Sequence, residues 1–130
     1  MAFKARTHGI IEQANTQGGT LSSGWLKVRD GSGFSFWFIQ MASGAPSHSL
    51  YVDYSPFELD SEDTAPTAAG RTNYVTSTLA TGVTTKGSLV QYSCPTALKS
   101  PFVSIRLRAV EAGVAAATTV TFGFCRSTEG

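Results

Sequence analysis

The sequence predicts an all-β protein, a single-domain β-sandwich or jelly roll of about seven to eight short antiparallel strands with an N-terminal arm. A chain of 130 residues fits one domain with one core. Val, Ile, Thr, Phe, Tyr and Trp contribute 43 residues, and these types pack well on a pleated surface. Gly, Ser and Thr contribute 44, which supplies turns and polar strand faces.

The N-terminal part differs in composition from the rest, so we divide the chain into an arm and loop (1–24), a β-sandwich domain (25–126) and a polar tail (127–130). Apolar and basic residues alternate over 3–7, and 15–24 is a Gly-, Thr- and Ser-rich loop. An extended arm can add a strand to a neighbouring subunit. A frayed terminus or an internal edge strand fits the pattern equally well. The candidate partner-binding residues of the arm are Phe3, Lys4, Arg6, Ile10 and Ile11.

The segment 25–41 predicts a β-hairpin. Apolar and basic residues alternate over 25–29, and Asp30 to Gly33 supplies a turn, because glycine accepts positive φ. The strand 34–41 is apolar on both faces, with phenylalanines on one side. Such a strand is either central in a sandwich or covered by a subunit partner, so Trp37 is a candidate interface residue.

Five more strands follow, each bounded by Gly, Pro or polar residues: 49–54, 71–79, 88–94, 102–110 and 114–126. Between the first two lies a long acidic loop. The last two are predicted to form a hairpin through Glu111, Ala112 and Gly113.

The last two strands alternate clearly between apolar and polar residues. The pattern predicts four residues of the first strand facing the core, namely Val103, Ile105, Leu107 and Ala109. Its other face carries Ser104, Arg106 and Arg108, and we name both arginines as candidate interface residues because arginine is enriched at interfaces. An ordinary solvated strand face is the alternative. In the final strand Thr118, Val120, Phe122 and Phe124 share one face.

Few residues suit catalysis. His8 and His48 are the two histidines, and Ser47 with Asp53 would be the partners of a hypothetical triad. Nothing fixes such a geometry and no nucleophile elbow is present, so we expect no enzymatic activity.

We expect neither a metal nor another cofactor. The acidic stretch Asp60 to Asp63 offers oxygen ligands for Ca²⁺ but lacks the spacing of an EF-hand, which favours a solvated loop or a contact with a basic patch on a partner. Cys94 and Cys125 are too few for a disulfide scaffold, and two half-buried thiols or one bridge between strand ends both fit.

Four aromatic residues offer a different candidate surface. Trp25, Trp37, Tyr51 and Tyr54 would suit stacking on sugar rings if they stood exposed in a row. Trp37 lies inside an apolar run, which favours burial in the core or an interface.

Overall charge and hydropathy exclude two partner classes. The formal net charge of +1 argues against nucleic-acid binding through an overall positive field. No run of 18 apolar residues predicts a membrane span, and the first residues lack the apolar stretch of a secretory signal. We also expect no small-molecule ligand.

The segments 101–109 and 113–124 resemble the closing hairpin of small all-β virion proteins of tailed phages. The chain as a whole is similar in style to phage capsid decoration (cement) proteins: small, short-armed, rich in Gly, Thr and Ala, and poor in Cys. This resemblance implies a viral structural protein that binds the major capsid protein lattice and stabilises it.

The resemblance also implies a position on the capsid exterior, assembly in the host cytoplasm and a homo-oligomer, with a trimer favoured. The arm would act as a clamp and the strand 34–41 as the contact between copies. The alternative interpretation is a carbohydrate- or receptor-binding module of a virion tail or fibre.

Overall fold

The computed structural model describes residues 3–16, 18–27, 34–42, 44–59, 73–95, 98, 102–113 and 117–129. Within these ranges the chain has nine β-strands and no α-helix. The strands are β1 (Phe3–Thr16), β2 (Thr20–Ser22), β3 (Leu26–Lys27), β4 (Phe34–Met41), β5 (His48–Ser55), β6 (Val75–Val83), β7 (Val90–Ser93), β8 (Ser104–Glu111) and β9 (Ala117–Glu129).

The strands form two antiparallel sheets. One has the order β1-β9-β4-β7, and the other has the order β2-β8-β5-β6 with β3 also paired to β8. If β2 and β3 are counted as one interrupted strand, this is the connectivity of an eight-stranded jelly roll. The prediction of an all-β sandwich or jelly roll is therefore confirmed.

Both predicted hairpins are wrong, because the chain changes sheet at each of them. β3 pairs with β8 and not with β4, and β8 pairs with β5 while β9 pairs with β1 and β4. Gly113 is also absent from the glycines with positive φ. Alternation fixes which face of a strand is buried but not which strand lies beside it, so two amphipathic strands joined by a short loop look alike in either arrangement.

Strand β1 occupies most of the segment predicted to be an arm. It pairs with β9 from Phe3 opposite Glu129 to Thr16 opposite Ala117, with an irregularity between His8 and Ile11. The N-terminal segment was expected to be an extended arm, a frayed terminus or an internal edge strand. In the structure, β1 is an edge strand of the four-stranded sheet. The same pairing extends β9 into the predicted polar tail.

The core lies between the inner faces of the two sheets. The alternation predicted for β4, β8 and β9 is confirmed within these strands, since their inward side chains are buried and pack on those of β5. The prediction is wrong for Val103, which lies before the start of β8 and is half-buried outside the core cluster. Phe38 and Phe122 meet edge to face with ring centroids 5.9 Å apart. Each fully buried side chain of this kind contributes about 1.5–3 kcal/mol relative to exposure. Nine core residues are 0% exposed: Phe36, Phe38, Leu50, Val52, Ile105, Leu107, Ala109, Val120 and Phe122.

The outward face of β8 is covered at Ser104 and Arg106, so the alternative of an ordinary solvated strand face is wrong at these two positions, whereas Arg108 is half-buried. Ser104 is 0% exposed and Arg106 is 4% exposed. Ser104 Oγ donates to Phe57 O at 2.7 Å and accepts from Leu59 N at 3.0 Å, so the segment after β5 crosses the sheet at this end.

Candidate functional site

A charged cluster lies on the outer face of the five-stranded sheet, centred on Asp53 of β5. Arg106 donates from Nε to Asp53 Oδ2 at 2.8 Å, and its Nη2 forms an ion pair with the same oxygen at 2.7 Å. Arg108 donates from Nε to Oδ2 at 2.6 Å and from Nη2 to Oδ1 at 3.0 Å. Thr76 Oγ1 also donates to Oδ1 at 2.6 Å. One fully buried carboxylate therefore accepts four hydrogen bonds and has a further ion-pair contact with Arg106 Nη2.

Aromatic rings enclose the two guanidinium groups of this cluster. The Arg106 carbon Cζ lies 4.6 Å from the ring centroid of Trp25 and 4.8 Å from that of Tyr74. The Arg108 Cζ lies 5.0 Å from the Tyr51 ring. These distances allow cation–π attraction, which is stronger where water is excluded.

The cluster carries two positive charges for one negative charge. Burial by itself would lower the pKa of Arg108, but its hydrogen bond to Asp53 and the charge of that carboxylate outweigh burial and raise the pKa above its ordinary value. The Arg106 side chain is 5% exposed and that of Arg108 is 26% exposed. Of the two predicted interface arginines, Arg108 is therefore the one with a partly solvent-exposed side chain. Arg106 is buried between Asp53 and the rings of Trp25 and Tyr74.

A second polar cluster is buried inside the core at the opposite end of β5. His48 Nδ1 lies 2.7 Å from Gln40 Oε1. Gln40 Nε2 donates to Val83 O at 2.8 Å and to Thr85 O at 2.9 Å. Because both amide hydrogens of Gln40 are used on carbonyl groups, its oxygen must face the imidazole, and His48 Nδ1 must carry the proton.

The other imidazole nitrogen faces Asn15 of β1. Asn15 Nδ2 lies 3.1 Å from His48 Nε2 and donates to Gly19 O at 3.1 Å. Asn15 Oδ1 accepts from Thr16 N at 3.0 Å. The amide nitrogen therefore points at the imidazole, and His48 Nε2 accepts with its lone pair.

Glu111 of β8 completes this cluster. Its Oε2 lies 3.5 Å from His48 Nδ1 and accepts from Ser47 N at 3.2 Å, while Oε1 accepts from Gly113 N. Burial lowers the pKa of His48 from its ordinary value, against the opposing effect of the Glu111 charge. The imidazole is therefore neutral at pH 7.

The hypothetical triad is not formed. Both ring nitrogens of His48 face side-chain amides, and Asp53 faces the opposite side of β5 in its own cluster. His48 is 0% exposed and lies inside the core. The side chain of His8 lies outside the described part of the structure.

An apolar patch lies on the outer face of the four-stranded sheet. We call it the outer patch and define it as Trp37, Ile39, Met41 and Leu89. The first two are half-buried, whereas Met41 is 54% and Leu89 59% exposed. Leu89 precedes Val90, which pairs with Phe38, so it lies beside Ile39.

Trp37 has a special position in the outer patch. It lies directly opposite Gly123 of β9, which leaves room for the indole ring over the neighbouring strand. Its Nε1 is buried and has no hydrogen-bond partner among the described residues. The strand 34–41 is thus apolar on both faces, as predicted, and lies between β9 and β7.

The row of exposed aromatic residues needed for sugar stacking is not assembled. Trp25 is 6% exposed and, like Tyr51, lies on the outer face of the five-stranded sheet. Trp37 belongs to the other sheet, and Tyr54 packs against the core.

The candidate residues of the arm lie on β1 at fixed register positions. Phe3, Lys4, Arg6 and Ile11 are opposite Glu129, Thr128, Arg126 and Phe122. Ile10 falls within the irregularity of the pairing. β1 is the edge strand of its sheet, so the structure brings these residues to one sheet edge and separates them from Trp37 on β4.

The described residues contain no group of three or more His, Cys, Asp or Glu side chains able to hold a metal ion. The acidic stretch 60–63 lies outside these residues. Cys94 and Cys125 are half-buried thiols and do not share a disulfide. Cys94 packs on the core, whereas Cys125 lies opposite Ser35 on the outer face of the four-stranded sheet. No described helix is long and apolar enough to span a membrane.

Sequence reasoning missed both polar clusters. The signal for the inner one was present, because Gln40 shares the inward face of β4 with the phenylalanines. A polar residue at such a position needs a buried partner. The outer cluster had no comparable signal, since Tyr74 reaches Arg106 from a distant part of the chain.

No family model matches the chain, and no curated protein matches it. Three solved structures that resemble it contain a viral capsid protein. The infectious bursal disease virus VP2 subviral particle has a TM-score of 0.59 and 14% identity, covering 99% of this chain and 33% of that chain. T=1 particles derived from infectious bursal virus have a TM-score of 0.58 and 15% identity, covering 99% of this chain and 32% of that chain. The structure of the Gt strain of infectious bursal disease virus has a TM-score of 0.57 and 14% identity, covering 97% of this chain and 32% of that chain.

The chain spans about a third of the length of these proteins. At this level of identity the likeness establishes a shared fold.

Proposed function

We propose that this chain is a viral structural protein that acts by binding other subunits and performs no reaction. The observation that carries the proposal is the jelly-roll connectivity, matched over 99% of the chain by a capsid protein. Two features of the site agree with it. The buried histidine has both nitrogens engaged by amides, and an exposed apolar patch lies on one sheet.

More specifically, we propose that the protein decorates a phage capsid by binding the lattice of its major capsid protein from the outside. It would be made in the host cytoplasm and join the virion there. A protein that binds only the assembled shell stabilises that state by mass action. Because the binding site repeats over the lattice, modest affinity at each contact is sufficient when the protein is oligomeric.

Two surfaces suit these contacts. The outer patch fits contact between copies, because it combines exposed apolar surface with a firmly held central strand. The edge strand β1 fits contact with the capsid, since an edge strand offers backbone groups for strand addition. Arg108 supplies a cationic contact on the other sheet. We propose a homotrimer as the assembled form.

The contact between copies is tested by native mass spectrometry. We expect a trimer for the wild-type chain, and monomers for Met41→Glu and Leu89→Glu, because a charge in an apolar interface loses its hydration. Both side chains are more than half exposed, so neither variant disturbs the core. Phe57→Glu is the matched control, since Phe57 is 59% exposed but lies beyond the end of β5 on the other sheet. A wild-type monomer, or a trimer in both patch variants, would contradict the assignment.

The capsid role is tested by co-sedimentation with purified particles of the virus concerned, before and after the decoration layer is removed. We expect the added protein to bind stripped particles at saturable stoichiometry and to raise their resistance to heat. Deleting residues 1–11 should abolish binding, but this also removes most of the partner of β9. Circular dichroism must therefore show that the truncated chain is folded. Absence of binding by the folded wild-type protein would overturn the proposal.

A further inference from the structure

We propose that neutral His48 is an acid-sensitive latch that holds the junction between β1 and β2 against the rest of the sandwich. The inference goes beyond the proposed function and concerns the inner polar cluster only. It depends on which group donates in each hydrogen bond around the imidazole. These donors and acceptors allow only the neutral imidazole with its proton on Nδ1.

The amide of Asn15 is fixed on three sides. Its nitrogen donates to Gly19 O and to His48 Nε2, and its oxygen accepts from Thr16 N. The carbonyl of Gly19 also accepts from Glu111 N at 2.9 Å. Asn15 thus joins the end of β1, the turn that follows it and the imidazole in one connected set of bonds.

Protonation of His48 turns its Nε2 from an acceptor into a donor. Two donors, Nε2–H and the Asn15 amide nitrogen, then face each other at 3.1 Å in a buried site, where His48 is 0% and Asn15 4% exposed. Rotating the Asn15 amide by half a turn does not help. Its oxygen would then oppose Gly19 O, and its nitrogen would oppose Thr16 N. The strain is relieved only by moving Asn15, and with it Thr16, Gly18 and Gly19.

Glu111 is the one titratable group among the described residues that faces the imidazole. It lies at the Nδ1 side, 3.5 Å away, where it favours the protonated form. The imidazole of His48 also contacts Gln40 and Phe38 of β4, on the other sheet, and both of these side chains are uncharged. Burial outweighs Glu111, as the lowered pKa of His48 shows, so the charged imidazole is less stable inside than in water.

The response is local because β1 and β2, which the junction connects, are each paired on one side only among the described strands. β2 comprises three residues and pairs only with β8 among the described strands. By contrast, β4, β5, β8 and β9 each pair on two sides. Opening therefore begins at residues 15–22 and leaves the central strands paired.

The test combines nuclear magnetic resonance and amide hydrogen exchange on the whole chain. The imidazole nitrogen resonances should show the Nδ1–H tautomer at pH 7.5 and a titration midpoint below the ordinary 6.5. Because opening takes up one proton, amide protection over residues 15–22, corrected for intrinsic exchange, should fall about tenfold per pH unit below 6.5 until the midpoint is reached. Amides of β5 and β8 should retain their protection over that range.

His48→Gln is the matched variant, because it can donate and accept but does not titrate. We expect protection over residues 15–22 to be independent of pH in this variant. If the variant fails to fold, the tautomer and the regional protection of the wild-type chain decide the question alone. An Nε2–H tautomer, simultaneous loss of protection in all strands, or the same acid response in His48→Gln would overturn the latch.

Discussion

Arg106 and Asp53 form a buried ion pair on the side of the five-stranded sheet that faces away from the core, with Arg106 Nη2 2.7 Å from Asp53 Oδ2. Removing two charges from water is costly, and only close geometry with further hydrogen bonds offsets it. Here the carboxylate accepts four hydrogen bonds, and Trp25 and Tyr74 cover the Arg106 guanidinium. The pair therefore ties the segment before β3 and the segment before β6 to the same sheet face.

Replacing Asp53 by Asn should destabilise the protein by about 3–5 kcal/mol, because it leaves the Arg106 cation buried without its counter-charge. Urea unfolding followed by tryptophan fluorescence measures this change. Glu58→Gln is the control, since the ion pair between Glu58 and Lys27 is 4.0 Å long and more than half exposed. That variant should lose less than about 0.5 kcal/mol. Equal losses in the two variants would show that the Asp53 cluster is not a stabilising element.

Replacing Phe122 by Ala should cost about 3–5 kcal/mol of unfolding free energy, since the side chain is 0% exposed and packs edge to face on Phe38. Phe57→Ala is the matched control, because Phe57 is 59% exposed and its truncation should cost less than about 0.5 kcal/mol. Chemical denaturation of both variants measures the difference. A loss below about 1 kcal/mol for Phe122→Ala would mean that β9 does not pack in the core as described.

The inward faces of β4, β8 and β9 could be predicted from the sequence, and the pairing of strands could not. The phenylalanines of β4 and the inward residues of β8 are buried as their alternation indicated. Alternation has no information on which strand lies alongside, so β3 and β4 were placed together although they belong to different sheets. β2 was missed because three residues within a Gly- and Ser-rich stretch give too short a pattern.

The candidate sites were predictable only in part. The doubly apolar character of the strand 34–41 is confirmed, because that pattern depends on one strand alone, whereas its role as a contact surface stays a prediction. The outer cluster depends on residues far apart in sequence, such as Asp53 and Arg106, which register brings opposite each other. His48 was considered as a catalytic residue, but its role depends on amides contributed by two other strands.

Acid should reduce the stability of the protein through His48. Its folded-state pKa lies below the ordinary 6.5, so between these two values the unfolded chain binds a proton that the folded chain does not. Stability from this group is therefore complete above pH 6.5 and is lost, at up to about 1.4 kcal/mol per pH unit, as pH falls toward the folded pKa. Urea unfolding at pH 7.5, 6.5 and 5.5 measures it, and His48→Gln should lack this component. A wild-type stability that rises on acidification would contradict the assignment.

Replacing the polar group of Thr118 on β9 should not destabilise the protein, in contrast to replacing Asp53 of the charged cluster. Thr118 is 2% exposed, and its Oγ1 has no hydrogen-bond partner among the described residues. A buried hydroxyl without a partner has lost its hydration without replacement, whereas a methyl group of similar size has no hydration to lose. Thr118→Val should therefore leave the free energy of unfolding unchanged or raise it by up to about 1 kcal/mol.

Thermal and urea unfolding of the Thr118→Val variant measure this effect, with Thr118→Ala as the comparison that removes the hydroxyl and also leaves space. We expect the alanine variant to be the less stable of the two, because Thr118 is buried and truncation to alanine leaves a space that valine would fill. A loss of more than about 1 kcal/mol in Thr118→Val would show that the hydroxyl is hydrogen-bonded in solution, with ordered water as its partner, and that the inner polar cluster extends onto β9.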